Sequence, residues 1–224
     1  MSILFCNIAY MDYYQGIVNE KRLPNNGGSY VKETGDGGES CNFKSREWQI
    51  ENGAPSDGRY CFGYAMVQGS DTEAQLHIEK IEGCSGAVKE PYVDDVLVVY
   101  CATHPIYKFT TVVGWYRHAR VFRYMEDMYF GNDEDDWSVY NAVAKAEDCV
   151  LLPISLRARR TEWWVPRRNK GMAYGFGRSN IWFAQNTNNN PDLDKYLKKI
   201  QNQILNYDGE NWLDKMTGSY RCVH

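Results

Sequence analysis

The sequence contains no run of eighteen apolar residues and no charged segment leading into an apolar one at its start. A helical membrane span and a secretory leader are therefore not expected, and the expected address is the cytoplasm, away from any membrane. Its seven cysteines, Cys6, Cys41, Cys61, Cys84, Cys101, Cys149 and Cys222, never form a CxxC pair. That pattern argues against a zinc site and a disulfide framework, and most of these thiols read as small buried apolar groups. Histidine is scarce: His77, His104, His118 and His224 stand far apart, which leaves an HNH nuclease without its paired ligands. There is no Walker loop and no G-x-S-x-G elbow, and Gly175–Gly177 is too short to cradle a phosphate. No cofactor and no resident metal are expected.

What is present is aromatic and unevenly charged. The 224 residues suit a single domain over 1–224, with a C-terminal helix and tail from about 191. A net charge of −4 is a poor match to a polyanion, but its distribution is not uniform. Acid gathers at Glu126, Asp127 and Asp133–Asp136, whereas 157–170 carries Arg157, Arg159, Arg160, Arg167, Arg168 and Lys170 against Glu162 alone. Trp163 and Trp164 lie inside that basic stretch. Arginine neutralises phosphate and aromatic faces stack on bases, so the combination points toward nucleic acid.

Residues 93–123 read as two long buried strands joined by a turn at Thr103–Pro105. Val96–Tyr100 is a continuous apolar run, as in a strand covered on both faces. The return run alternates, placing Val113, Trp115 and Arg117 on one side and Gly114, Tyr116 and His118 on the other. Gly114 between large residues marks close approach of a neighbouring strand or a flat ligand. Further strands are expected at 3–9, 60–67, 75–81 and 150–155, with helices at 138–148 and 191–205 and loops at 24–41 and 132–137. The expected fold is α+β, a curved and mainly antiparallel sheet or small β-barrel with two to three flanking helices.

Catalytic patterns are weak. Glu79, Asp94 and Asp95 are the carboxylates that a Mg²⁺-dependent nuclease would use, but Glu79 and Lys80 are adjacent and would face opposite sides of a strand. A metal-free base-excising enzyme needs only a pocket, a stacking aromatic and one acid or base, and stays open as an alternative. A protein-interaction domain using the acidic loop 132–136 is a third. The chain has seventeen tyrosines and seven tryptophans, several beside polar residues. Tyr10, Tyr13, Tyr14 and Tyr30 could stack on a flat ligand, and Asn7, Ser29 and Asn42 could bond its edge.

Three segments, FCNIA…GGSYVKE, DDVLVVYCA…VVGWYRHARVF and LLPISLRARR…VPRR…GFGRSNIW…LDKYLKKIQNQIL, occur in an order that resembles the EVE and YTH domains of the PUA-like superfamily. Those compact barrels read modified bases and serve as recognition modules of modification-dependent restriction systems. The resemblance implies a non-catalytic reader that flips a modified base of double-stranded DNA into an aromatic pocket, with a nuclease or motor as a partner subunit or fused domain. By the same resemblance Asn7 and Ser29 would bond the base edge, Tyr30 and either Tyr10 or Trp115 would wall the cage, and Arg178, Ser179 and Asn180 would touch the nucleic-acid backbone. Arg157, Arg159, Arg160, Arg167 and Arg168 would add phosphate contacts.

Overall fold

The computed structural model describes residues 2–16, 38–48, 58–67, 74–129 and 137–215. Among them the first strand, β1 (Ser2–Asn7), runs parallel to β4 (Tyr92–Thr103), from Ser2 opposite Val96 to Asn7 opposite Cys101. β4 turns back through 104–109 into the twenty-residue β5 (Thr110–Tyr129). Around this centre lie β2 (Ser45–Trp48), β3 (Gly58–Gly63), β6 (Trp137–Lys145) and the two-residue β9 (Ile181–Trp182), in the order β2-β3-β6-β5-β4-β1-β9. Two short strands, β7 (Cys149–Leu151) and β8 (Trp164–Val165), also pair with β5. The α+β expectation holds, but the nine-stranded sheet is mixed, and its path ends at β2 and β9 instead of closing into a barrel.

Alternation explains why the central strands are apolar throughout. Val96, Val98 and Tyr100 of β4 join Leu4 and Cys6 of β1 in one cluster, while Leu97, Val99 and Cys101 join Ile3 and Phe5 in another. A strand buried on both faces has no polar side to show. The second cluster is covered by a helix, α3 (Pro191–Leu205), through Leu193, Leu197, Ile200 and Ile204. Asn190 caps that helix, its Oδ1 accepting the Leu193 N–H at 3.1 Å, and Pro191, Asp192 and Asp194 suit its first turn. Two single-turn helices, α1 (Ile154–Arg157) and α2 (Arg160–Trp163), link β7 to β8.

The long hairpin differs from strict alternation. Pairing slips between Tyr100–Gly114 and Cys101–Val112, and Val113 packs in the same cluster as Tyr116 and not with Trp115. A second slip places Val98 opposite Tyr116 but Val96 opposite Ala119, and Asp95 (φ 58°) and His118 (φ 49°) at that irregularity both adopt left-handed backbone. Gly114 is required by a neighbouring strand: a Cβ there would lie 2.3 Å from the Val150 carbonyl oxygen of β7 and 2.5 Å from the Phe43 ring.

Three segments depart from expectation: the strand expected at 150–155 stops at Leu151, and α1 begins at Ile154. Residues 137–145 form β6, not a helix, because Tyr140 and Val143 pack with Tyr60 and Phe62 of β3, and this contact outweighs the helix preference of a short alanine-rich segment. Residues 78–80 form a 3-10 turn where a strand was expected, with Leu76, Ile78 and Ile81 buried beneath it. The acidic loop 133–136 and most of the glycine-rich loop lie outside the described residues.

Gly114→Ala should destabilise the fold by about 2–4 kcal/mol, because backbone on one side and a buried ring on the other leave no room for a methyl group. A lowered urea midpoint with an unchanged slope would register it, and an unchanged midpoint would refute the close-packing account.

Candidate nucleic-acid interface

Parallel pairing brings the C-terminal ends of β1 and β4 to the same end of the sheet, where β5 begins. Thr110 and Thr111 of β5 pair with Val165 and Trp164 of β8, which places the chain that leaves β8 there too. β9 runs antiparallel to β1, with Ile181 opposite Cys6, so Asn180 meets Asn7. Arg167 closes the group. Its Nε donates to Thr110 Oγ1, its Nη2 donates to Asn7 Oδ1, and its guanidinium lies 5.3 Å from the Phe176 ring centroid. Asn7 in turn donates from Nδ2 to Asn180 Oδ1 at 3.3 Å and from its backbone N–H to the Asn180 carbonyl at 2.7 Å. Among the described residues no carboxylate pairs with Arg167. Burial presses its pKa below the ordinary arginine value.

An aromatic group stands beside it on the β4–β5 turn. The His104 ring lies 5.2 Å from Tyr10, 4.7 Å from Tyr107 and 5.8 Å from Phe109. His104 Nδ1 accepts the N–H groups of Ile106 at 3.2 Å and Tyr107 at 3.3 Å. An accepting Nδ1 requires the neutral ring. Burial, aided by the Arg157 charge, lowers the His104 pKa in the same sense. At the tip Ile106 is 75% exposed and Tyr107 61% exposed, an aromatic face open to a stacking partner.

The residues expected to form a site divide sharply. Asn7, Tyr10, Arg167 and Asn180 come to this end of the sheet, although Tyr10 is buried and serves as a floor under His104. Ser179 is adjacent, its Oγ accepting the Ile181 N–H at 3.0 Å. Arg168, Lys170 and Arg178 are exposed and carry no ion pair among the described residues. Arg159 pairs with Glu162 at 3.6 Å, and Arg160 approaches the Trp164 ring at 6.0 Å. Ser29 and Tyr30 lie outside the described residues.

Three expected contacts are corrected. Arg157 cannot reach a phosphate: it is fully buried and donates to the carbonyls of Leu152 at 2.7 Å, Met11 at 2.7 Å and Asp12 at 3.1 Å. Trp115 faces the core, stacked on Trp163 at 5.5 Å, with the edge of Tyr207 at 5.3 Å. Asn42 is buried and clamps Tyr64, donating to its carbonyl at 2.8 Å and accepting its N–H at 2.9 Å.

The carboxylates of the nuclease alternative are each committed elsewhere. Glu79 accepts from Arg123 at 2.8 Å and contacts His77 at 2.9 Å; burial pushes its carboxyl up, but those bonds carry it down to about 2. Asp94 binds Arg120 and Asp95 binds His118, both at 2.7 Å. Among the described residues no three His, Cys, Asp or Glu side chains come together as metal ligands. His104, Tyr107, Phe109 and Thr110 were missed in the sequence, where Thr103–Pro105 reads only as a break between strands. The clustering of one histidine and two aromatics within six residues was the available signal. No protein family, curated protein or solved structure matches this chain.

Arg157→Met should cost about 3 kcal/mol or more of folding stability, since three backbone carbonyls would lose their donor, whereas Arg178→Ala should stay within about 0.5 kcal/mol. Chemical denaturation of the two variants separates a structural arginine from a surface one. The lowered His104 pKa means that the folded state excludes a proton the unfolded chain accepts. Stability should therefore fall as pH drops below the ordinary histidine range, and a His104→Gln variant should show a flatter melting-temperature profile there.

Proposed function

We propose that this chain is a non-catalytic reader of a modified nucleobase in double-stranded DNA, acting as the targeting module of a restriction or defence system. The observation that carries the reading is Arg167, a half-buried guanidinium held by Asn7 and Thr110 with no acid paired to it among the described residues, beside an exposed aromatic turn. Such a group is a fixed donor for a ligand acceptor. Tyr107 offers a stacking face, worth about 1–3 kcal/mol for a base, which offsets the few kcal/mol needed to extrude that base from the duplex. Exposed Arg168, Lys170 and Arg178 supply phosphate contacts in the same segments. Engagement of Glu79, Asp94 and Asp95 by Arg123, Arg120 and His118 favours a reader over a Mg²⁺-dependent nuclease. Cleavage would then belong to a nuclease or motor, fused or separate. The order of sequence features supports a PUA-like ancestry for the fold, with the sheet opened out.

Mobility shifts at fixed salt, using duplexes that differ in one modified cytosine or adenine, test this. Wild type should favour one modified duplex, and Arg167→Ala should erase the preference. Arg168→Ala and Arg178→Ala should weaken all duplexes alike and reduce the salt slope by about 1 each. Equal affinity of wild type for every duplex would remove the reader hypothesis.

A further inference from the structure

One residue organises the β4–β5 turn. His104 donates its backbone N–H to the Phe109 carbonyl at 2.8 Å and accepts the Lys108 N–H on its own carbonyl at 3.0 Å, which closes the loop. Its Nδ1 accepts the N–H groups of Ile106 and Tyr107, the bonding by which an asparagine side chain organises the two or three residues after it. The His104 ring is buried among Tyr10, Tyr107 and Phe109. Tyr107 is thus held by His104 twice, through its backbone N–H and through its ring. Lys108 beside it takes left-handed backbone, φ 56°, a conformation that the surrounding bonds must hold in place.

This bonding requires the neutral imidazole. A protonated ring carries N–H on both nitrogens, so Nδ1 would face two N–H groups as a third donor and both bonds would be lost. The charged groups facing the ring are Arg157 of α1, whose guanidinium carbon lies 5.9 Å from the Tyr10 ring centroid, and Asp12 of the segment after β1, which is exposed. Tyr10 and Tyr107 are the titratable rings in contact with it. Burial and the Arg157 charge both disfavour the protonated form, and Arg157 is fixed by its three carbonyls. An asparagine would hold the same turn at any pH. Histidine holds it only while uncharged.

We infer that His104 is the positioning residue for the stacking group of this site: the neutral ring holds Tyr107 outward for a base, and protonation releases the turn and with it the preference for a modified base. This role rests on the reader function proposed above and adds its regulation, recognition near neutral pH that is lost in acid. Acid also strengthens the general attraction between protein and phosphate, because histidines gain charge. The quantity that reports the turn is therefore the ratio of affinities for modified and unmodified duplexes, and not either affinity alone.

Two measurements keep this role distinct from the reader function. The first needs no DNA: with isotope-labelled isoleucine and tyrosine, the Ile106 and Tyr107 amide resonances are followed from about pH 7.5 to about pH 5. They should shift together with the His104 ring in wild type and stay in place in His104→Asn, whose Oδ1 accepts at every pH. The second uses duplexes with one 5-methylcytosine, 5-hydroxymethylcytosine or N6-methyladenine, each against its unmodified counterpart at fixed salt. The ratio for the preferred duplex should fall at least about fivefold over that range in wild type, as for the loss of one stacking contact. It should hold steady in His104→Asn and be low at every pH in His104→Phe, which keeps a ring without an acceptor, while circular dichroism shows each protein folded throughout. Amides that ignore the His104 titration, a wild-type ratio that stays constant while they move, or a His104→Asn ratio that falls as steeply as wild type overturns the positioning role and leaves the reader in place. A wild type without preference for any of the three modifications at about pH 7.5 overturns the reader and this role together.

Discussion

The parallel pairing of six residues of β1 with β4 is the constraint on which the polar end of the molecule depends. An antiparallel first strand would have put Asn7 at the opposite end of the sheet from Thr103 and the turn that follows. In the observed arrangement β1 and β4 end together, β5 starts beside them, and β8 and β9 deliver Arg167 and Asn180 to the same place. The apolar content of β1 and β4 is what secures that alignment, since both faces are buried and a one-residue slip would exchange two well-packed clusters.

Charged side chains of this protein illustrate how differently burial can be resolved. Arg157 is wholly enclosed, but three carbonyls satisfy its donors, and it ties the segment after β1 to the chain after β7. Its charge is structural. Arg167 is only partly covered, and its partners among the described residues, Thr110 and Asn7, are polar but uncharged. Glu79 represents the opposite case, with Arg123 and His77 consuming its charge.

Much of the scaffold was legible in the sequence because its signals are local. The stripe and capping residues of 191–205 define α3, and the apolar run of 96–100 with its return strand defines the β4–β5 hairpin. The segment 138–148 was misread because alanine and a capping serine favour a helix, while the decisive contacts, Tyr140 and Val143 against β3, come from a strand some eighty residues earlier. Within the site Asn7, Arg167 and Asn180 were legible by type. Arg157 and Arg167, in contrast, belong to one arginine-rich stretch and look alike in sequence. Only the position of backbone carbonyls around each distinguishes the buried clamp from the half-buried side chain held by Asn7 and Thr110. Asn42 and Trp115 were misassigned for the same reason: an asparagine or tryptophan near a site in sequence carries no mark of which way it points.

The length of β5 has a kinetic consequence. Along its twenty residues it meets β8, then β7, then β6, while β4 lies along its other edge. The hairpins with β4 and β6 close short loops, β7 and β8 close longer ones, and β1 must return to β4 across roughly ninety residues of chain. Loop-closure entropy grows with that separation. Pairing is thus expected to spread outward from the middle of the chain, with the amino-terminal strand docking late. The end of the sheet where Asn7 meets Arg167 would then mature after the core, and a nascent or partly unfolded chain would hold a formed sheet whose polar end is still unassembled.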